Sequence, residues 1–170
     1  MAAEHLLALG HRRIATISGV LALGCSQERI AGYRAALEAA GLAIDPDLIR
    51  EGDFRYEAGY RETCELLDLP EPPTGIFTGN DMQAVGALNA LRARGIPVPG
   101  GMSLVGFDDV EIAALISPAL TTVRQPLAQM GAFAAAMLLR LIAGEHLDSN
   151  RVELSTELVV RESSGPPRAA

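Results

Sequence analysis

Two carboxylates, Asp108 and Asp109, close the run "LVGFDD" at residues 104–109. An ionised carboxylate is costly to bury unpaired, so acids that directly follow a run fit for a sheet interior must face something else. Three chemistries suit them. Asp109 could cap the short helix that "DDVEIAAL" would begin, since Asp is a good cap. The pair could hold Mg²⁺, as in phosphotransfer receivers, but such sites are completed by a lysine and this chain has none. Asp108 could instead accept hydrogen bonds from ligand hydroxyls.

Three more side chains belong in the same discussion. Asn80 follows "GIFTG" and is placed to cap the next helix. Arg29 lies early in a helix, where a solvated surface role is the ordinary one. Phe54 follows "GD" just before another helix, where an aromatic usually edges the core. Together, an Arg, an Asp, an Asn and an aromatic at strand–helix rims would make a polar clamp with a stacking face, as small polyol ligands require. His5, His11 and His146 have no metal-ligand spacing, and His11, beside Arg12 and Arg13, is expected to face solvent. No G-x-S-x-G, H-E-x-x-H or Cys–His spacing occurs. No catalytic residue, metal or cofactor is therefore expected.

Composition narrows the choice further. A chain of 170 residues suits one domain or a two-lobed unit. Hydrophobic residues make up 49% and aromatics only 4%, so aliphatics must fill the core. The net charge of −7 argues against holding a DNA backbone, which needs clustered basic residues. All 14 basic residues are Arg, which removes P-loop and Schiff-base lysine chemistry. Cys25 and Cys64 are scattered, which fits a reducing cytosol better than a disulfide scaffold. The opening "MAAEHLLALGHRR" is too short and polar for a leader, and no apolar run reaches membrane length. A cytoplasmic protein with no membrane partner is expected.

The elements that must position these residues alternate. Helical spacing is expected in "AEHLLAL", ending at Gly10, then over 27–41, 56–69, 81–95 and 127–144. Strands are expected in "RIATIS" (13–18), "LIREGD", "GIFTG" (75–79), "MSLVGF", "LTTV" (120–123) and "RVELSTELVVRE". This order argues for βαβ units, a parallel sheet and right-handed crossovers. Ligands of such sheets sit outside the carboxyl ends of the strands. Asp108 and Asp109 lie at one such end, Asn80 and Asp81 at another.

The segments "GHRRIATISG", "ERIAGYRAALEAAGL", "GDFRYEAGY", "PPTGIFTGNDMQAVGALNALRARGIPVPGGMSLVGFDD", "SPALTTVRQPLAQMG" and "ELVVRESS" occur in an order that resembles the lactose-repressor (LacI/GalR) family of bacterial transcription regulators. The resemblance covers nearly the whole chain and corresponds to the later part of a family member. It implies an α/β, periplasmic-binding-protein-like (type I) doubly wound parallel sheet, with a complete C-lobe and a partial N-lobe. On this reading residues 1–18 and 122–150 are the N-lobe remnant, 19–121 and 151–164 the C-lobe, and 165–170 a tail. Helix 126–143 would return to the remnant.

The resemblance also implies an effector site: Arg29 as clamp, Phe54 packed on the ligand, Asn80 at the family's asparagine, Asp108 at its effector-binding aspartate and Gln125 at the crossover between lobes. It implies a sugar-like small-molecule effector, a homodimer, and DNA contact only through a headpiece that is not in this chain. A secreted sugar-binding protein of the same fold and a Mg²⁺-dependent enzyme using Asp108 and Asp109 are the rival readings.

Overall fold

A computed structural model of the chain describes residues 1–147, 149 and 151–168. Helices and strands alternate: α1 (Ala2–Ala8), β1 (Ile14–Ile17), α2 (Gly24–Ala39), a 3₁₀ turn (Pro46–Leu48), β2 (Ile49–Arg50), α3 (Tyr56–Leu67), β3 (Gly75–Thr78), α4 (Asp81–Ala93), β4 (Ser103–Asp108), α5 (Ile112–Leu115), β5 (Thr121–Arg124), α6 (Leu127–Ile142) and β6 (Glu157–Val159). Six strands form one sheet in the order β2-β1-β3-β4-β5-β6. The first five are parallel, and β6 runs antiparallel to β5. The strand order reverses at β1, which leaves a crevice between the carboxyl ends of β1 and β3.

Side chains alternate across each strand with a period of two, so neighbouring residues serve opposite cores. Ala15, Ile17, Ile76 and Leu104 meet α3 and α4 through Leu66, Ala87, Leu88 and Leu91. Ile14, Phe77 and Val105 meet α1 and α2 through Leu6, Tyr33 and Leu37. The α3–α4 contact is close because glycine lines it. A Cβ on Gly59 would lie 2.1 Å from the Gln83 carbonyl oxygen, and one on Gly86 would lie 2.1 Å from that of Tyr56. This tight pair fixes the start of α4, and so Asn80 and Asp81, against the start of α3 and Phe54.

The expected lobe boundary at residue 18 is corrected. Strand β1 pairs with β2 on one side and β3 on the other, and α1 packs beneath the same sheet. Residues 1–18 therefore belong to the main lobe. The boundary expected between 121 and 122 also shifts, because all of β5 pairs in the sheet through Arg124. Helix α6 does leave the sheet, but it packs on no remnant: none of its residues is buried. Of the strand expected over 151–162, only Glu157–Val159 pairs. Residues 148 and 150 of the expected remnant, and 169–170 of the tail, lie outside the described residues.

His11 departs from the expectation that it faces solvent. His11 is only 1% exposed. Its Nδ1 meets the Thr74 hydroxyl at 2.9 Å, and its Nε2 meets the Ser103 hydroxyl at 3.0 Å and the Gly165 carbonyl at 2.9 Å. Burial lowers its pKa, with the Gly165 carbonyl acting in the opposite sense. The Ser163 hydroxyl donates to the Leu104 carbonyl at 2.6 Å and accepts from the Thr121 N–H at 2.8 Å. The "SSG" segment (163–165) is thus hydrogen-bonded across β4 and β5.

Candidate functional site

The loop after β1 delivers α2, and Arg29 lies on the second turn of that helix. Its Nη1 donates to the Gly79 carbonyl at the end of β3, at 2.6 Å. The guanidinium carbon sits 3.9 Å from the Phe107 ring centroid and 5.6 Å from that of Phe54. Planar guanidinium stacks on aromatic faces in this way. Nη2 stands 3.9 Å from Asp108 Oδ1, the long limit of an ion pair. Burial lowers the Arg29 pKa, and the charges of Asp108 and Cys25 oppose that.

Asp108 ends β4 with φ 112°, and Asp109 follows with φ 57°. Such backbone is strained for residues other than glycine, at about 1–3 kcal/mol each, and gathers at functional sites. Asp108 Oδ1 accepts from Gln125 Nε2 at 2.6 Å. Burial raises the Asp108 pKa above the ordinary carboxylate range, while the Gln125 bond and the Arg29 charge pull it back. Phe54 also holds a positive φ, 65°. Its ring lies on Gly19, where a Cβ would come within 1.9 Å of the ring Cζ. Arg29, Phe54, Asp108 and Gln125 are therefore brought to one rim, at the β1–β3 crevice and its neighbouring strand ends.

The matching family model is that of the periplasmic binding protein-like domain, over residues 3–164. The chain belongs to that family. Among its relatives is the HTH-type transcriptional repressor CytR of Escherichia coli K12, 37% identical over 163 residues, which are 96% of this chain and 48% of that protein. The solved structure of a transcriptional regulator CelR–cellobiose complex superposes with TM-score 0.91 at 41% identity, over 95% of this chain and 50% of the other. A LacI family transcriptional regulator from Mycobacterium smegmatis gives TM-score 0.90 at 34% identity, over 98% and 62%. The chain spans about half the length of the curated relatives it matches. The resemblance to LacI/GalR regulators is borne out, and these relatives are transcriptional regulators rather than enzymes.

Not every sequence candidate of this periplasmic binding protein-like domain reaches the rim as expected. Asn80 Oδ1 accepts from the Gln83 N–H at 2.9 Å, which caps α4. Its Nδ2 donates to the Phe54 carbonyl, also at 2.9 Å. Each end of the amide makes one bond, so Asn80 positions Phe54 and its helix and keeps a second N–H. Asp109 is neither a cap nor half of a metal pair. Its carboxylate accepts from Arg161 at 2.6 Å and from Arg124 at 2.5 Å, with only 5% of the side chain exposed. Burial would raise its pKa, but the two guanidinium groups outweigh that and the net shift is down. The short helix α5 begins at Ile112 with no side-chain cap. Two arginines on one acid leave no free carboxylate pair for Mg²⁺. Among the described residues no cluster of His, Cys, Asp and Glu is suited to a metal.

One contributor was not singled out from the sequence, and a second, Asp81, was placed at a strand end without a role. Phe107 is the platform for Arg29, although its place in "GFDD" reads as the end of a buried run. Asp81 is 1% exposed under the rim, with the Thr122 hydroxyl donating to Oδ1 at 2.6 Å and the Val110 N–H to Oδ2 at 2.9 Å. Its pKa is pushed up to about 6, mainly by burial, against those two hydrogen bonds and with help from Asp108 and Asp109. Nothing in "TGNDMQ" distinguishes such an acid from an ordinary first-turn Asp. A cavity of about 350 Å³ adjoins the rim on the α1–α2 side and shares Arg29, Phe107 and Gln125 with it.

Proposed function

We propose that this chain is the effector-sensing part of a LacI-type transcriptional regulator, and that a small polyhydroxylated ligand, a sugar or a related metabolite, binds at the rim of Arg29, Phe54, Asp108 and Gln125. The gap between Arg29 Nη2 and Asp108 Oδ1, 3.9 Å, carries the reading. It sets a donor fork beside a carboxylate acceptor, with two aromatic rings close by. Adjacent hydroxyls of a sugar ring can accept from the fork and donate to the carboxylate, and its C–H face can lie on Phe54. Asn80 supports Phe54 and keeps one amide N–H for a ligand oxygen. The cellobiose complex of the CelR relative supports the ligand class.

The same reading assigns DNA binding to residues other than these, since the chain carries −7 and non-specific DNA affinity is essentially phosphate neutralisation. The regulator works as a homodimer in the cytoplasm, where its DNA is. Ligand acts by favouring one conformation over another, and it shifts DNA affinity only by as much as its own affinity differs between the two. Titration calorimetry of the full-length regulator against monosaccharides and disaccharides tests the reading. Saturable heat with one or more sugars supports it, and a flat response across the set rejects it.

A further inference from the structure

Asp108 and Asp109 make a turn that few side chains accept. Both take positive φ, 112° and 57°, a region that glycine enters freely and other residues enter with strain. Strained backbone persists where its surroundings over-determine it. Here the anchors stand on the two residues after Asp108. The Val110 N–H donates to Asp81 Oδ2 at 2.9 Å, and the Thr122 hydroxyl holds the other oxygen of Asp81. The Asp109 carboxylate accepts from Arg161 Nη2 on one oxygen and from Arg124 Nε on the other.

The two arginines are unequal. Arg124 has 48% of its side chain exposed and also serves Glu157, and an exposed ion pair contributes little. Arg161 is only 18% exposed. Its Nη1 donates to the Leu120 carbonyl at 2.7 Å, and its backbone N–H donates to the Thr121 hydroxyl at 2.9 Å. The Arg161 fork is therefore fixed to the start of β5, and a fixed fork gives the acid a direction as well as a charge. Asp108 depends on that direction. Its Oδ1 reaches Gln125 at 2.6 Å and stands 3.9 Å from Arg29. Rotation of φ turns Cβ about the N–Cα bond, so the carboxylate keeps this place only while φ is held. We infer that Asp109 and Arg161 are positioning residues of the effector rim: their ion pair holds the 108–109 turn in its positive-φ form and so aims the Asp108 carboxylate at the ligand. The inference rests on Asp108 binding the effector, as proposed above. It lets a residue 52 positions further along the chain set the geometry of the site without lining it.

The test uses the full-length regulator and the sugar that binds it best. Arg161→Gln keeps a donor for the Leu120 carbonyl and gives up the ion pair. Its affinity should fall roughly fivefold or more, and Arg161→Lys, which restores the charge, should recover most of the loss. A crystal structure of ligand-free Arg161→Gln should show Asp108 at negative φ, with its carboxylate withdrawn from Gln125. Asp108 still at positive φ, or affinity equal to wild type, overturns the inference. If Arg161→Gln does not fold, Asp109→Asn carries the same two readouts, since its amide cannot accept from both arginines. Asp108→Asn is the control. Weaker binding there, with none lost in Arg161→Gln, overturns the positioning role alone, and no change in either variant overturns the rim assignment with it.

Discussion

The side chains of Asp108 and Asp109, neighbours in the chain, share no partner. Asp108 meets Gln125 and, at long range, Arg29. Asp109 is held by Arg124 and Arg161. Both stand on positive-φ backbone, which turns two adjacent acids to two different tasks. Substitution should separate those tasks. Asp109→Asn removes the charge that two guanidinium groups share and should cost about 1–3 kcal/mol of stability. Asp108→Asn should leave stability within about 1 kcal/mol, because its one close partner, Gln125, is only partly buried and the amide can still meet it. Chemical denaturation of both variants checks this, and equal losses would contradict the division.

Phe54 should matter more to binding than to folding. Its ring rests on Gly19 at the rim and its φ is 65°. Phe54→Ala should therefore weaken sugar binding more than it lowers the melting temperature. Phe54→Gly should be more stable than Phe54→Ala by about 1 kcal/mol, because only glycine takes that backbone without strain. Melting curves that rank alanine above glycine would show that the strained backbone is not retained.

Asp81 predicts a pH dependence of defined sign. Its folded pKa, about 6, lies above the unfolded value of 3.8. Between those values the folded state binds the extra proton, so its contribution to stability falls as pH rises. The loss begins near pH 4 and is complete above pH 7. A shift of roughly two units corresponds to about 2–3 kcal/mol. Asp81→Asn cannot titrate, so the stability of wild type relative to this variant should decline across that window. A constant difference between pH 4 and pH 7.5 would show that Asp81 is ionised in the fold throughout.

How far these features were legible in sequence depended on their range. The alternation of elements and the Asn80 cap follow from local signals: glycine stops, apolar periodicity and polar residues at strand ends. The gathering of Arg29, Phe54 and Asp108 was legible through the family resemblance. The partners of Asp109 were not legible. Arg161 lies far along the chain, in a segment that reads as a plain strand, and only the β4–β5–β6 pairing brings it close. His11 failed for a similar reason. Its arginine neighbours argue for solvent, while its burial depends on Thr74, Ser103 and Gly165 arriving from three other places. The lobe boundary was misplaced because β1 carries nothing that says which sheet it joins. Its place between β2 and β3 is a tertiary fact.

The isolated chain should self-associate. Helix α6 exposes Leu127, Met130, Phe133, Leu138, Leu139, Leu141 and Ile142 at 43–74% each. Burying apolar surface is favourable by roughly 25 cal/mol per Å², and a contiguous patch of this kind usually marks an interface. A two-fold pairing of α6 with its copy would cover it. Sedimentation at micromolar concentration should give a species of twice the chain mass, and a single species near 17.9 kDa would contradict this.

The rim of Arg29 and Asp108 is expected to bind the effector. The most direct measurement is titration calorimetry of the full-length regulator with the sugar that binds best, on wild type, Arg29→Ala and Asp108→Asn at the same pH. Each substitution leaves one side of the hydroxyl clamp without its partner. Affinity should fall by about 1–3 kcal/mol, or roughly 5- to 150-fold, in each variant, with melting temperatures close to wild type. Unchanged affinity in both folded variants would contradict the account and place the ligand elsewhere.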